Sequence, residues 1–444
     1  MPMLPQISTA MHTVLTTTTD VAATNLHYAK RPDRAKFTPS TLVQTLVFGW
    51  LAAPAATVEH LAQMASRLGV EVSPQAIDQR FTPATATLLQ QVLTASIQHV
   101  VSADPVAIPI LQRFTSVRVH DSTTIALPDA LTSIWAGCGN ASGQGTAGLK
   151  CGVQVDLLTG ALCGLDLAAG RASDHALPVQ HAALPAGSLR LADLGFYDLD
   201  VLRTLDEQGV YWLSRLQTNS RLTLPGQPER SLLETLESFG AATEWDGPVR
   251  VGQGGRVAAR LLARRVPPAI AEERRRKIRA AAKEKGRAPA KAALALAPWN
   301  ILVTNIPPAL LSRDEALVLM RLRWQIELLF KLWKSHGKVA EWRSVKPARI
   351  LCEVYAKLLA LVFQHWMVAA SGWDDPERSR FKAAQVVRSY AAELASAFGD
   401  VEQFISVLRT MARVLQRSAR MNKRRKTPTT AQRLCALTAG SAQA

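Results

Sequence analysis

Apolar positions recur at helical spacing through the first hundred residues, and the period changes near residue 115. In the helical part, Thr38-Pro39, Ser73-Pro74 and Thr82-Pro83 each place a capping hydroxyl before a proline at the first helical position. Thr57 opens a further helix over VEHLAQMASRL that Gly69 stops, and Ser73 opens PQAIDQRF. These two segments fit a helix-turn-helix with Gln75, Gln79 and Arg80 as readers, or an ordinary helical hairpin. Beyond 115, SVRVHD alternates as a short strand ending at Asp121. CGVQVDLLTG and ALCGLDLAAG predict two strands across a Thr-Gly turn, and Asp174–Leu184 a short helix. SLRLADLGF is a strand with Asp193 at its C-terminal end, DLDVLRTLDEQG a helix closed by Gly209, and VYWLSRL a fifth strand.

Between Leu216 and Pro298 turn pairs and valine-rich runs predict a small β-rich insertion, followed by the basic helix or arm AEERRRKIRAAAKEKGR. WNILVTNIP then resumes as a strand. From Arg349 to about Gln416 the pattern is helical again, and the tail MNKRRKTPTT reads as mobile. Five segments follow: a helical N-terminal DNA-binding region (1–103), a first core part (104–216), the β-rich and basic insertion (217–298), a second core part (299–348) and a helical C-terminal region with a basic tail (349–444).

One long helix is expected over Arg313–Lys338, with Ser312 and Glu315 as a capping box and Gly337 as its stop. Its apolar side is drawn from Leu317, Met320, Trp324, Leu328 and Leu332. Arg323, Glu327, Lys331 and Lys334 share another stripe. One carboxylate among three cations is either a salt-bridge ladder or a metal-binding glutamate flanked by phosphate contacts.

Charge narrows the choice. The net charge of +17 is concentrated in Arg250–Lys291 (14 Lys/Arg, 3 Glu) and Met411–Arg433 (8 Lys/Arg, no acid). The rest of the chain is close to neutral, so the basicity fits dedicated surfaces for a polyanion. Five cysteines without a CxxC pair suggest neither a zinc knuckle nor a disulfide framework. No signal peptide or membrane span is read, and a cytoplasmic protein is expected. Gly143–Gly148 spells GxGxxG but leads into a strand, so a Gly-rich loop accounts for it better than a dinucleotide site.

A three-stranded meander followed by helix, strand, helix and a later helix is the order of the ribonuclease H fold, here an α/β core with a β-rich insertion and helical flanks. Asp121, Asp193 and Glu327 fall on the elements that carry that fold's carboxylates. Oxygen ligands suit hard cations, and three convergent carboxylates suit two Mg²⁺ ions that clamp a phosphodiester. HDSTT, GRASDHALP, ADLGFYD and LRWQIELLFKLWKS resemble the bacterial insertion-sequence transposases of the DDE class. The likeness is to the group whose last motif is Tyr-x2-Arg-x3-Glu-x6-Lys, and Met320 replaces the tyrosine.

The resemblance implies a catalytic and metal-binding triad of Asp121, Asp193 and Glu327, with Arg323 and Lys334 on phosphates and Mn²⁺ able to replace Mg²⁺. It implies strand hydrolysis at the element's inverted ends, attack of the freed 3′-OH on target DNA, and a homodimer that pairs two ends. Further DNA contacts are expected from Lys331 and from Arg274, Arg275, Arg276 and Lys277. Trp299 either stacks on an unpaired base or packs in the core. A non-catalytic DNA-binding regulator and a stand-alone nuclease are the alternative readings.

Overall fold

The computed structural model describes residues 3–28, 36–139, 145–421 and 428–441. Two compact units are interleaved in sequence. The first comprises Met1–Ala107, Ser122–Ala172 and Gln325–Lys426, and the second Ile108–Asp121, Ser173–Trp324 and Thr427–Ala444.

The first unit is a helical assembly with a β-sheet element. The proline caps form as expected: Thr38, Ser73 and Thr82 accept from the backbone N–H three residues on, and Thr57 caps Val58–Arg67 with a capping box. The second helix of the proposed helix-turn-helix, Pro74–Asp78, spans only five residues, and Arg349 pairs with Asp78 at its end. Helix Pro347–Ala370 is apolar on nearly every side, and all its residues from Ile350 to Ala369 are buried. It packs on Pro39–Ala52, Pro83–Ser96 and Arg380–Ala397. By length and composition it would suffice to cross a membrane, yet it lies inside the unit.

Several of its buried polar groups are answered within the unit. Lys357 Nζ is 2.8 Å from Glu353 and donates to the carbonyls of Lys338 (3.1 Å) and Glu341 (2.7 Å). His365 Nε2 bonds the Gly160 carbonyl at 2.7 Å, and Trp135 Nε1 donates to the Tyr355 hydroxyl at 2.7 Å.

Strand β1, Val117–Leu127, belongs to the second unit up to Asp121 and to the first from Ser122. It does not end at Asp121 as the sequence suggested. The following β-branched run, Thr123, Thr124 and Ile125, keeps it extended, so Asp121 sits in mid-strand. In the first unit β2 (Ala136–Gly139) and β4 (Leu162–Ala169) both pair antiparallel with β3 (Gly145–Asp156). Gly143 lies outside the described residues. Gly148 stands within β3, where Gly170 N–H donates to its carbonyl at 2.7 Å and the two bare backbones nearly touch. That close approach is the reason for this glycine.

In the second unit β5 (Leu189–Ala192) and β6 (Tyr211–Ser214) run parallel beside β1, joined by helix Leu199–Glu207. Parallel β1-β5-β6 in this unit, and β3 next to β1 and β4 in the other, are the strand neighbours of a ribonuclease H-like core. The helix expected at Asp174–Leu184 is instead two 3₁₀ turns, Asp174–Ala176 and Pro178–Gln180, because Pro178 interrupts it.

The insertion supplies β7 (Arg221–Thr223), β8 (Arg230–Ser231), β9 (Glu244–Val251) and β10 (Val257–Arg265). It is not a separate sheet, because β10 pairs antiparallel with β11 (Trp299–Thr304), which pairs with β6. The basic segment is a helix, Pro268–Glu284. The tail expected to be mobile falls largely on residues 422–427, outside the described residues.

Burial pushes the His365 imidazole down to about 4, against roughly 6.5 in an unfolded chain. Between those values the unfolded chain binds a proton that the fold refuses. The stability contribution is therefore complete above about pH 6.5 and lost as pH falls towards 4, at up to about 1.4 kcal/mol per pH unit. Replacing His365 by Gln, which can still donate to the Gly160 carbonyl, is expected to flatten the thermal midpoint in that window. An unchanged slope would refute this assignment.

Candidate active site

The parallel register of β1 and β5 fixes the site. Val117, Arg118, Val119 and His120 pair with Leu189, Arg190, Leu191 and Ala192, and both strands are buried at these positions apart from Arg118. The next residues are Asp121 and Asp193. Neighbouring strands lie about 4.8 Å apart, so the register sets the two carboxylates side by side. Asp193 ends its strand and precedes the 3₁₀ turn Leu194–Phe196.

Two adjacent anions call for a cation, and Arg323 supplies it. Its Nη1 donates to Asp121 Oδ2 at 2.9 Å, and its Nε lies 3.7 Å from Asp193 Oδ1. The Arg323 and Asp121 side chains are 12% and 16% exposed, whereas that of Asp193 is 39% exposed, so one side of the pair is open to solvent.

Arg323 reaches this place because the expected single helix is broken into turns of different pitch. Arg313–Leu319 is α-helical, Met320–Arg323 is 3₁₀, Trp324–Lys331 is α-helical, and Leu332–His336 is a π-turn. The change of pitch shifts the helix phase. The expected apolar stripe therefore fails at Trp324 and Leu328, which are 48% and 39% exposed. Ala316, Leu319, Leu322, Ile326 and Leu329 are buried instead, together with Met320. The Ser312–Glu315 capping box forms as expected. Arg113, just before β1, grips Glu315 with two bonds of 2.9 and 3.1 Å and donates to the Leu310 carbonyl at 2.9 Å. Burial opposes the charge on Glu315, yet the bonds from Arg113 and Ser312 hold its carboxyl below the ordinary value.

Glu327 lies four residues past Arg323, half-buried, in the segment that belongs to the first unit. Lys334, also in that unit, donates to the Thr124 carbonyl of β1 at 3.0 Å, and Lys331 is exposed. Oxygen donors from Asp121 and Asp193 around one positive centre fit a hard divalent cation. Arg323 takes that centre here, and among the described residues no group of three His, Cys, Asp or Glu side chains is assembled to hold an ion.

The other expected DNA contacts divide. Trp299 is 9% exposed, with Arg265 over its ring at 4.7 Å, and is part of the core of the second unit. Arg274 donates to the carbonyls of Ala297 (3.2 Å) and Trp299 (3.0 Å) and to Asn300 Oδ1 (2.6 Å). Arg275 pairs with Glu272 and reaches the Leu294 carbonyl. Arg276 and Lys277 face solvent, the latter 2.7 Å from Glu273.

Two supports escaped the sequence reading. Arg190, buried within β5, donates to Gln180 Oε1, and Gln180 Nε2 donates to the Phe196 carbonyl at 3.0 Å. This clamp holds the turn that follows Asp193, and burial pushes the Arg190 guanidinium down to about 10. Asp174 packs on the same turn: a Cβ at Gly195 would lie 2.5 Å from its Oδ2. An arginine in the otherwise apolar LRLA and the GRASDHALP run were the visible signals.

Residues 112–363 match the family described as Transposase DDE domain. The chain belongs to this family. The matched span includes Asp121, Asp193, Arg323 and Glu327. The chain is similar to the transposase for insertion sequence element IS231F of Bacillus thuringiensis subsp. israelensis, with 26% identity over 432 residues, 90% of this chain and 89% of that one. The transposase for IS231B of Bacillus thuringiensis subsp. berliner is 24% identical over 431 residues with the same shares. The transposase for IS1151 of Clostridium perfringens is 24% identical over 378 residues, 78% of this chain and 79% of that one. This transposase is thus an enzyme that acts on DNA.

The clamp beneath Asp193 makes a testable demand on the transposase. Arg190→Met strands the buried Gln180 oxygen, at a cost of roughly 1–3 kcal/mol. A lowered unfolding midpoint together with slower DNA cleavage is expected. Wild-type stability would show that the clamp holds nothing.

Proposed function

We propose that this transposase binds the inverted ends of its own insertion sequence, cuts a DNA strand there, and joins the freed 3′-OH to target DNA. The observation that carries the reading is the β1–β5 register, which sets Asp121 beside Asp193 with Arg323 between them. In this reading Asp121, Asp193 and Glu327 hold two Mg²⁺ ions, with Mn²⁺ as a substitute. When bound, such ions supply activation of the attacking oxygen and neutralisation of the charge developing on the leaving oxygen.

The chain's own groups do the rest. Arg323 balances the Asp121–Asp193 pair before DNA arrives and turns to a DNA phosphate afterwards. Lys334 takes a second phosphate while anchored beside Thr124, and Lys331 adds an exposed charge. Arg276 and Lys277 meet the DNA backbone from the insertion helix, which Arg274 and Arg275 fix in place. Pairing of two ends makes a homodimer the working assembly.

Nicking and strand transfer on end-bearing DNA, with Mg²⁺ or Mn²⁺, test this reading. Asp121→Asn, Asp193→Asn and Glu327→Gln are each expected to lower cleavage by at least about 100-fold, the upper range for loss of a metal's outer partners, while DNA binding persists. Wild-type cleavage in any of the three would remove that residue from the triad. Binding without cutting by the unaltered chain would instead favour a DNA-binding regulator.

A further inference from the structure

Three arginines in the C-terminal helical layer take no part in the site described above. Arg409, Arg413 and Arg417 lie at i, i+4 and i+8 on helix Val401–Ser418, and all three are exposed. On the other side of the helix Phe404, Leu408, Met411 and Leu415 are fully buried, so its apolar face is spent within the unit. The acids of this helix, Asp400 and Glu402, are confined to its N-terminus, where Asp400 caps the N–H groups of Glu402 and Gln403; at its other end Asp375 is paired with Arg378.

Among the described residues none of the three guanidinium groups takes part in an ion pair or a side-chain hydrogen bond. Some exposed arginines elsewhere are answered by carboxylates, Arg203 and Arg256 by Asp200, Arg221 by Glu229 and Arg264 by Glu244, whereas Arg276 and Arg279 on the insertion helix are not. The helix dipole favours a cation in the last turn, where Arg417 sits, but it does not account for Arg409 and Arg413. Like charges at i, i+4 repel, so the stripe lowers the stability of the helix that carries it. An external anion would reverse that.

The stripe spans about 12 Å, the axial reach of roughly three to four phosphates on one strand of a duplex. Arginine forks also suit phosphate oxygens geometrically. We propose that Arg409, Arg413 and Arg417 grip the backbone of duplex DNA without reading its bases. The inference rests on the chain's being a DNA transposase but not on its carboxylate chemistry. An anionic membrane is the poorer fit, because the helix has no apolar face left to enter the lipid.

Binding of the full-length chain is measured across a salt series on a labelled duplex bearing the element's ends, on an unrelated duplex of equal length, and on phosphatidylserine vesicles. Replacing all three arginines by Gln is expected to weaken binding to both duplexes alike. The slope of log affinity against log salt should fall by about 2.7, roughly 0.9 per lost phosphate contact. The triple Lys variant keeps the charge and should keep the slope, which separates a lost grip from a misfolded chain. Asp121→Asn should leave the slope unchanged while cleavage is lost, so this inference and the catalytic reading fail separately. An unaltered slope in the Gln variant, weakening on the end-bearing duplex alone, or arginine-dependent binding to vesicles would each overturn the proposal.

Discussion

Two carboxylates on neighbouring parallel strands, one residue past the last paired positions, are the constraint on which the site depends. Like charges on neighbouring strand ends repel, the more so where solvent is partly excluded. A cation between the strand ends offsets that repulsion. Arg323 resolves this while leaving Asp193 on the solvent side. A guanidinium is an exchangeable solution in a way that an apolar contact is not. The same electrostatic demand that recruits Arg323 is one that the divalent cation of the proposed function would meet more fully, and in that proposal the arginine is released to a phosphate.

Everything around the pair serves to hold this balance in register. Arg113 ties the start of the Arg313–Leu319 helix by a bidentate bond to Glu315, the capping-box residue, so one carboxylate both caps the helix and anchors it. The 3₁₀ turn at Met320–Arg323 then directs Arg323 at the acids. On the other side, the Arg190–Gln180 clamp and the close contact of Asp174 on Gly195 fix the turn after Asp193. The insertion reinforces the arrangement because its strands prolong the sheet through β10 and β11. Its basic helix is pinned by Arg274 to the first residues of β11.

Much of this was legible in the chain. The proline-led helix starts, the placement of Asp193 and the β-rich character of the insertion follow from local rules, since caps and strand alternation are short-range effects. What local rules could not give were outcomes set by pairing. The length of β1 past Asp121 depends on its strand neighbours, and the break in the Arg313–Lys338 helix depends on where Arg323 must go. A uniform 3.6-residue period therefore put Trp324 and Leu328 on the wrong face. The short helix expected near Asp174 gives way to two 3₁₀ turns because Pro178 interrupts it. Trp299 carried two readings that only burial separates, and it lies in the core.

The basic segments carry a related lesson about charge. Arg250–Lys291 has a net charge of +11 when its own residues alone are counted. In the fold much of that is answered by acids outside the segment: Arg256 meets Asp200, Arg260 meets Asp246, and Arg264 meets Glu244 and Asp314. Arg274 is further occupied by backbone carbonyls. A local charge count thus overstates the field this segment presents, because ion pairing across strands is invisible to it. The stripe on Val401–Ser418 is the reverse case: fewer arginines, no carboxylate partner among the described residues, and a buried apolar face that fixes their direction. Arg276, Arg279, Lys283, Lys285, Arg287 and Lys291 stay exposed without a carboxylate partner among the described residues, so each of the two segments retains cations that a phosphate backbone could meet.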